Sequence, residues 1–171
     1  MTRRSIFATS ILMFYVCASA AAQTGRPLTD PPRSHIGVLP LWTVSVGNPE
    51  IVAGGFTMVM GRHTTTGGRF PGSFWRGIDG GVEAGPGALT ARAGWTDVGR
   101  FDFPSNGWSA DAVYVHPWRL AWGVRRQVDH IGPGVTFYGA PFRLSAAVLT
   151  SLSSRRSVAP MLKAGVVLGL D

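Results

Sequence analysis

An alternation of apolar with small or polar residues, repeating at every second position, constrains this chain more than any other feature. In residues 158–170 one face carries Val, Leu and Ala side chains, and the other carries Ala159, Met161, Lys163 and glycines. The same period runs through residues 142–152 and 87–97. Because side chains point alternately to opposite sides of a β-strand, this spacing predicts strands with one apolar face and one smaller, more polar face.

Turn-forming residues divide the chain after residue 35 into eight segments of this kind. Gly47-Asn48-Pro49 and Gly85-Pro86-Gly87 are short separators, and residues 63–72 and 99–107 are longer ones. No interdomain linker interrupts residues 36–171, so we predict one all-β domain, a single antiparallel up-and-down β-barrel of about eight strands. The predicted strands are 36–47, 50–62, 73–85, 87–97, 108–118, 129–139, 142–152 and 158–170.

The first 22 residues have the three parts of a secretory signal peptide in order. Arg3 and Arg4 precede an apolar run over residues 6–16, and small residues follow up to Ala22. Cleavage is predicted after Ala20 or Ala22. The run is shorter than the roughly 20 residues needed to span a bilayer, although an uncleaved anchor is the alternative. Residues 23–35, with three prolines, are predicted to be a flexible N-terminal segment.

Composition restricts the chemistry of the mature chain. Cys17 is the only cysteine and lies within the signal, so disulfides, thiol catalysis and cysteine–metal sites are excluded after cleavage. The full chain has 16 basic and 9 acidic side chains, and loss of Arg3 and Arg4 lowers the net charge from +7 to +5. The arginines are scattered, and no nucleic-acid module is recognisable. For an exported protein, this charge favours contact with membrane lipid or lipopolysaccharide headgroups, although a solvated basic surface explains it equally well.

The direction in which the polar face of each strand points distinguishes a soluble barrel from a membrane barrel. A soluble barrel buries its apolar face, whereas a membrane barrel turns its apolar face to lipid and its polar face to the interior. About 9–11 residues suffice for a tilted strand to cross a bilayer, and the predicted strands, with 11–13 residues, are long enough.

These features together resemble the small outer-membrane β-barrel proteins of Gram-negative bacteria. The resemblance rests on the export signal, the eight amphipathic segments, the absence of mature cysteine and the alternating last strand with Val166, Leu168 and Leu170. It covers essentially the whole mature chain and is architectural. It implies an antiparallel barrel with short turns on one side and longer loops outside the cell. The chain departs from the family in ending on Asp171 rather than an aromatic residue, and in its short first connection at residues 47–49.

The predicted interior faces carry three acidic and three basic residues. In a narrow barrel such charges should pair, since an unpaired buried charge costs several kcal/mol. A salt-bridged plug is therefore favoured over a polar pore or proton path. The residues are Asp79, Glu83, Arg92, Asp111, Arg143 and Lys163.

The tryptophans tend to lie near the ends of predicted strands. Indole rings favour the lipid–water interface, so these residues are candidates for aromatic girdles, with ordinary packing as the alternative. They are Trp42, Trp75, Trp95, Trp108, Trp118 and Trp122.

The histidines do not form a recognisable motif. His35, His63, His116 and His130 match no metal-ligand spacing, so no metal, cofactor or catalytic residue is predicted. A lipid-modifying hydrolase would need a Ser–His pair with an orienting acid, and Asp111 has the wrong parity for His116. The pairs Arg125-Arg126 and Arg155-Arg156 lie in predicted loops, either solvated or positioned to bind lipopolysaccharide phosphates.

The sequence therefore predicts an outer-membrane β-barrel without catalysis. Its expected role is structural, adhesive or surface-interacting, through loops near residues 63–72 and 99–107. A secreted or periplasmic barrel that binds an apolar ligand is the first alternative, and an outer-membrane lipid-modifying hydrolase is the second. The sequence identifies no protein partner.

Overall fold

The structure, a computed structural model, describes residues 33–66, 72–100, 106–118, 127–139, 141–153 and 157–169. These residues form eight strands: β1 (Arg33–Asn48), β2 (Ile51–Thr66), β3 (Gly72–Ala84), β4 (Ala88–Arg100), β5 (Asn106–Pro117), β6 (His130–Gly139), β7 (Phe142–Ser151) and β8 (Val158–Gly169).

Each strand pairs antiparallel with its neighbours in sequence, and β8 pairs with β1, so the sheet closes. The predicted all-β, eight-stranded antiparallel barrel is confirmed. The predicted signal peptide, residues 1–22, lies outside the described residues. No helix within the described ranges is long and apolar enough to cross a membrane.

The strands follow the alternation of the sequence closely. Along β7 the residues alternate between outward and inward positions, and its buried positions are Arg143, Ser145, Ala147, Leu149 and Ser151. β1 differs from the prediction because it begins at Arg33, inside the segment expected to be flexible. Arg33 pairs with Thr65 on β2, and this pairing extends the strand beyond its apolar run.

The register of the strands fixes the width of the barrel. Following directly paired residues once around the sheet returns to β1 ten residues further along, from Ile36 to Val46. Eight strands with this shear tilt by about 40° and enclose an interior just wide enough for side chains to fill. The path runs through Ile36, Arg62, Arg76, Asp97, Trp108, Phe137, Leu144, Ala164 and Val46.

The barrel has two distinct ends. At one end, here named the turn end, residues 49–50 join β1 to β2 and residues 85–87 join β3 to β4. The β5–β6 and β7–β8 connections also start and finish there. At the other, the terminal end, β1 begins and β8 finishes, and the remaining connections meet. The segments predicted as interaction loops, residues 63–72 and 99–107, belong to the terminal end, and residues 67–71 and 101–105 lie outside the described ranges.

Candidate functional site

The charged residues predicted for the interior faces lie together inside the barrel. Glu83 on β3 contacts Arg143 on β7, and these strands are not neighbours, so the contact crosses the interior. Asp79, Glu83, Asp111, Arg143 and Lys163 are each no more than 5% exposed. The side chain of Arg92 is 7% exposed. The interior is therefore a layer of buried charge.

Half of this layer surrounds Glu83. Lys163 Nζ lies 3.2 Å from Glu83 Oε2 and also contacts Glu50, while Arg143 contacts the other oxygen of Glu83. Ser45 donates a hydrogen bond of 3.0 Å to the same carboxylate. Glu50, only 1% exposed, precedes β2 in the connection from β1. The sequence placed Glu50 at the start of the predicted strand 50–62, where strand parity puts it on the same face as the outward Val52 and Met58; in the structure it lies in the turn before β2 and its side chain is buried.

The other half surrounds Arg92. Its Nη1 lies 2.8 Å from Asp79 and 3.2 Å from Asp111. Its Nη2 donates to the hydroxyl of Tyr138 at 2.7 Å and to Thr57 at 3.2 Å. This guanidinium thus connects strands β2, β3, β5 and β6 through the interior. Together the two halves hold three cations and four carboxylates.

The interior has almost no free space at the level of these charges. The void among Arg92, Asp111, Arg143 and Lys163 has room for about one water molecule, because the volume that the centre of a water molecule can occupy there is about 10 Å³. Towards the turn end an apolar layer follows, with His130 fully buried close to this end of β6. The layer comprises Ala88, Val113, Val115, Ala147, Leu149 and Met161. The barrel is closed by two successive layers of side chains.

The outward face of the barrel is apolar. Side chains that a soluble barrel would bury are half exposed or more, including Leu144, Val148 and Leu162. Others on the same outer surface are Val44, Val46, Val82, Val135 and Leu168.

An aromatic ring encircles this surface near the terminal end. Because the strands are staggered, directly paired residues shift along the barrel axis by about one and a quarter residues from each strand to the next. With that correction, five outward aromatic residues fall within about 4 Å of one level along the axis. Two of them, Trp108 and Phe137, are direct partners on β5 and β6. The ring consists of Trp42, Trp95, Trp108, Phe137 and Phe142, each about half exposed.

Outward charged and polar groups lie beyond both limits of the apolar surface. On the terminal side, Arg76 donates to Asp97 at 2.9 and 2.6 Å. On the turn side, His116 Nδ1 donates to Asp129 at 2.6 Å, and this hydrogen bond lowers the pKa of Asp129. Measured along the barrel axis, Arg76 and His116 are about ten strand residues apart. At this tilt the separation is roughly 25 Å. Between the Arg76–Asp97 pair and the His116–Asp129 pair, the described outward side chains carry no formal charge.

The other predicted tryptophans lie elsewhere. Trp75 shares the inward face of β3 with Asp79 and Glu83, so it faces away from the apolar surface. Trp118, just after β5, donates its indole N–H to the carbonyl of Pro86 at 2.7 Å. Trp122 lies outside the described residues.

A second polar cluster lies on the inward face at the terminal end. His35 and His63 are direct partners on β1 and β2, with ring centroids 4.9 Å apart. His63 Nε2 is 2.5 Å from Ser73 Oγ, and its ring stacks on Trp75. No group of three or more metal-ligating residues occurs among the described positions. The spacing of the histidines along the sequence did not predict this cluster, because only the register of β1 against β2 brings His35 and His63 together.

Comparisons of the chain with protein-family models, curated proteins and solved structures found no match.

Proposed function

We propose that this protein is an outer-membrane β-barrel with a structural or surface-interacting role and no catalysis of its own. The observation that carries the proposal is the inverted distribution of polarity, with charges buried inside and Leu144, Val148 and Leu162 exposed outside. In water the apolar outer side chains would remain hydrated at a cost in free energy, whereas in a bilayer the same surface contacts lipid. The interior charges pair with one another in either environment, so the outer surface is what favours the membrane.

The dimensions of the outer surface support the same environment. The apolar band of an outer-membrane barrel is about 25 Å tall and has aromatic girdles at its interfaces. The distance between Arg76 and His116 is roughly this height. The ring that contains Trp42, Trp95 and Trp108 lies just inside the terminal limit, where amphipathic indoles are favoured.

The apolar-ligand barrel has less support. A ligand pocket needs some hundreds of Å³ lined mainly by apolar groups. The void among the interior charges holds about one water molecule, and Leu144, Val148 and Leu162 point away from the interior.

The lipid-modifying hydrolase has one observation in its favour. Ser73 and His63 are within hydrogen-bond distance, as a nucleophile and its base would be. Among the described residues, however, no carboxylate hydrogen-bonds to His63 to orient it. A serine and a histidine without an orienting carboxylate do not favour catalysis over a structural role. We therefore retain the non-catalytic proposal.

The distribution of arginine suggests which partner the turn end meets. The connections between β5 and β6 and between β7 and β8 contain Arg119, Arg125, Arg126, Arg155 and Arg156. These residues lie outside the described ranges, but both connections start and finish at the turn end. If β1 begins on the periplasmic side, the turn end faces outward, and residues 63–72 and 99–107, which were expected to interact at the cell surface, face the periplasm instead. We propose that its arginines bind the phosphates of lipopolysaccharide, since guanidinium groups pair with phosphate in two-point geometry.

Fractionation of a Gram-negative host that expresses the protein tests the membrane proposal. We expect recovery in the outer membrane and, before boiling, a faster-migrating band on an SDS gel, because a closed barrel resists unfolding by detergent. A soluble, monomeric protein in the periplasm would overturn the proposal.

Paired substitutions test the lipopolysaccharide proposal separately. We expect Arg125→Gln with Arg126→Gln, or Arg155→Gln with Arg156→Gln, to weaken binding of the refolded barrel to lipopolysaccharide about tenfold, measured by titration in detergent. The matched control, Arg33→Gln with Arg62→Gln, removes the same charge from the terminal end and should leave binding unchanged. Equal loss in both pairs would show that only net charge matters.

A further inference from the structure

The terminal end of the barrel carries two histidines in direct cross-strand register. His35 on β1 and His63 on β2 are partners, and their rings meet edge to face at 83°. Two imidazoles that bind one metal ion at about 2.0–2.1 Å have ring centroids roughly 4.5–5.2 Å apart for N–metal–N angles of about 90–110°. The observed separation of 4.9 Å lies within this range. The two rings are therefore close enough to be ligands of one ion.

The surrounding residues hold His63 in place. Its ring stacks on Trp75 at 4.5 Å and 19°. Gly37 leaves room for that indole, because a Cβ at this position would lie 3.1 Å from the Trp75 ring. Ser73 Oγ lies 2.5 Å from His63 Nε2. If Nε2 carries the proton and donates to Ser73, Nδ1 keeps its lone pair for a metal, and such a partner to the second ring nitrogen is typical of metal-ligating histidines.

Solvent has access to the pair. β8 pairs with β1 only over residues 41–48, so the part of β1 that carries His35 has no strand on its other edge within the described residues. His35 is exposed and His63 half-buried. An ion can reach both rings from the terminal end, and water can occupy its remaining coordination positions.

We propose that His35 and His63 bind one divalent transition-metal ion, with Ser73 as a positioning residue for His63. Imidazole ligands suit Cu²⁺, Ni²⁺ and Zn²⁺, and affinity in this series is highest for Cu²⁺. With two protein ligands the site is exchangeable, which fits capture or transfer of an ion at the barrel mouth better than permanent structural binding. The inference does not depend on the membrane proposal.

Copper titration of the untagged mature protein in detergent micelles tests the site. We expect one Cu²⁺ per chain by calorimetry, with an electron paramagnetic resonance spectrum that shows two nitrogen ligands. His35→Gln and His63→Gln should each weaken binding at least tenfold. Ser73→Ala should weaken it about tenfold, since loss of such a supporting partner typically costs 10–100-fold in affinity.

Two controls make the result decisive. His116→Gln removes a histidine at the turn end and should leave copper binding unchanged. The gel shift on boiling shows whether each variant is folded, so that loss of the barrel is not mistaken for loss of the site. Absence of stoichiometric binding in the wild type would overturn the inference, as would unchanged binding in the folded double variant of His35 and His63.

Discussion

At the scale of single residues, Lys163 holds the interior together. It is the only lysine in the chain, and it contacts Glu50 from the first connection and Glu83 from β3. Its side chain is 3% exposed, and its ammonium group balances two carboxylates that have little access to water. Removal of one partner from a buried charge group is more costly than replacement of the whole group, because the remaining charges lose their compensation.

Replacement of Lys163 by Met should therefore lower the free energy of unfolding by about 3–5 kcal/mol, measured by urea titration of the refolded barrel. Leu162→Met, at the neighbouring outward position, is the control and should cost less than about 1.5 kcal/mol. Similar losses in the two variants would contradict the ion-pair account of the interior.

Single residues also mark where sequence reasoning stops. Alternation along β3, β4, β5, β7 and β8 identified the inward charges, because strand parity is a local property. Glu50 was missed because strand parity within the predicted strand 50–62 assigns it outward, whereas the turn before β2 directs its side chain inward. The contact between His35 and His63 was missed for another reason, since it depends on the register between two strands. Register follows from turn geometry and from the closed sheet, and neither can be read from spacing along the chain.

At the scale of elements, β7 shows how one strand serves two environments. Its inward residues include Arg143 in the charged layer and Leu149 in the apolar layer, while Leu144 and Val148 lie on the outer surface. A charge introduced on the outer face should be tolerated only away from the middle of the apolar band.

Leu144→Arg, near the middle of the apolar band, should accordingly destabilise the barrel in lipid vesicles by about 2–4 kcal/mol, whereas Leu152→Arg, just beyond the end of β7, should cost about 1 kcal/mol or less. Both positions are outward, with exposed fractions of 48% and 60%. Equal costs in vesicles, or no difference between vesicles and detergent-free buffer, would contradict a lipid-facing surface.

The elements were largely predictable because composition and period agree. Turn residues such as Gly85-Pro86-Gly87 stand between amphipathic runs, so the number and approximate bounds of the strands follow from the sequence. The start of β1 at Arg33 did not follow, because the residues there lack an apolar face and are ordered by pairing with Thr65 and its neighbours.

At the scale of the whole molecule, side chains fill the described part of the barrel interior in two successive layers. The charged layer leaves room for about one water molecule, and an apolar layer with Leu149 and Met161 follows towards the turn end. An ion that crosses the barrel would have to displace paired charges and then pass a dry layer.

Reconstituted into planar bilayers, the protein should show no stable conductance steps. Simultaneous replacement of Leu149 and Met161 by Ala opens the apolar layer but leaves the ion pairs, so this variant should also remain closed. Steady conductance of the wild type would show that the interior rearranges in lipid.

The unequal pairing of β1 has a consequence for how a newly made chain becomes a barrel. β1 pairs with β2 from Arg33 to Gly47, but with β8 only over residues 41–48. β1 and β2 are joined by a short turn, so they can pair as soon as both are available. The β1–β8 pairing joins the first and last strands of the domain and requires β8. Until then the nascent sheet carries two open edges that are prone to pair with other chains. Residues 41–48 of β1, which are already paired with β2 on one side, then offer their free edge to β8 as the last pairing of the sheet.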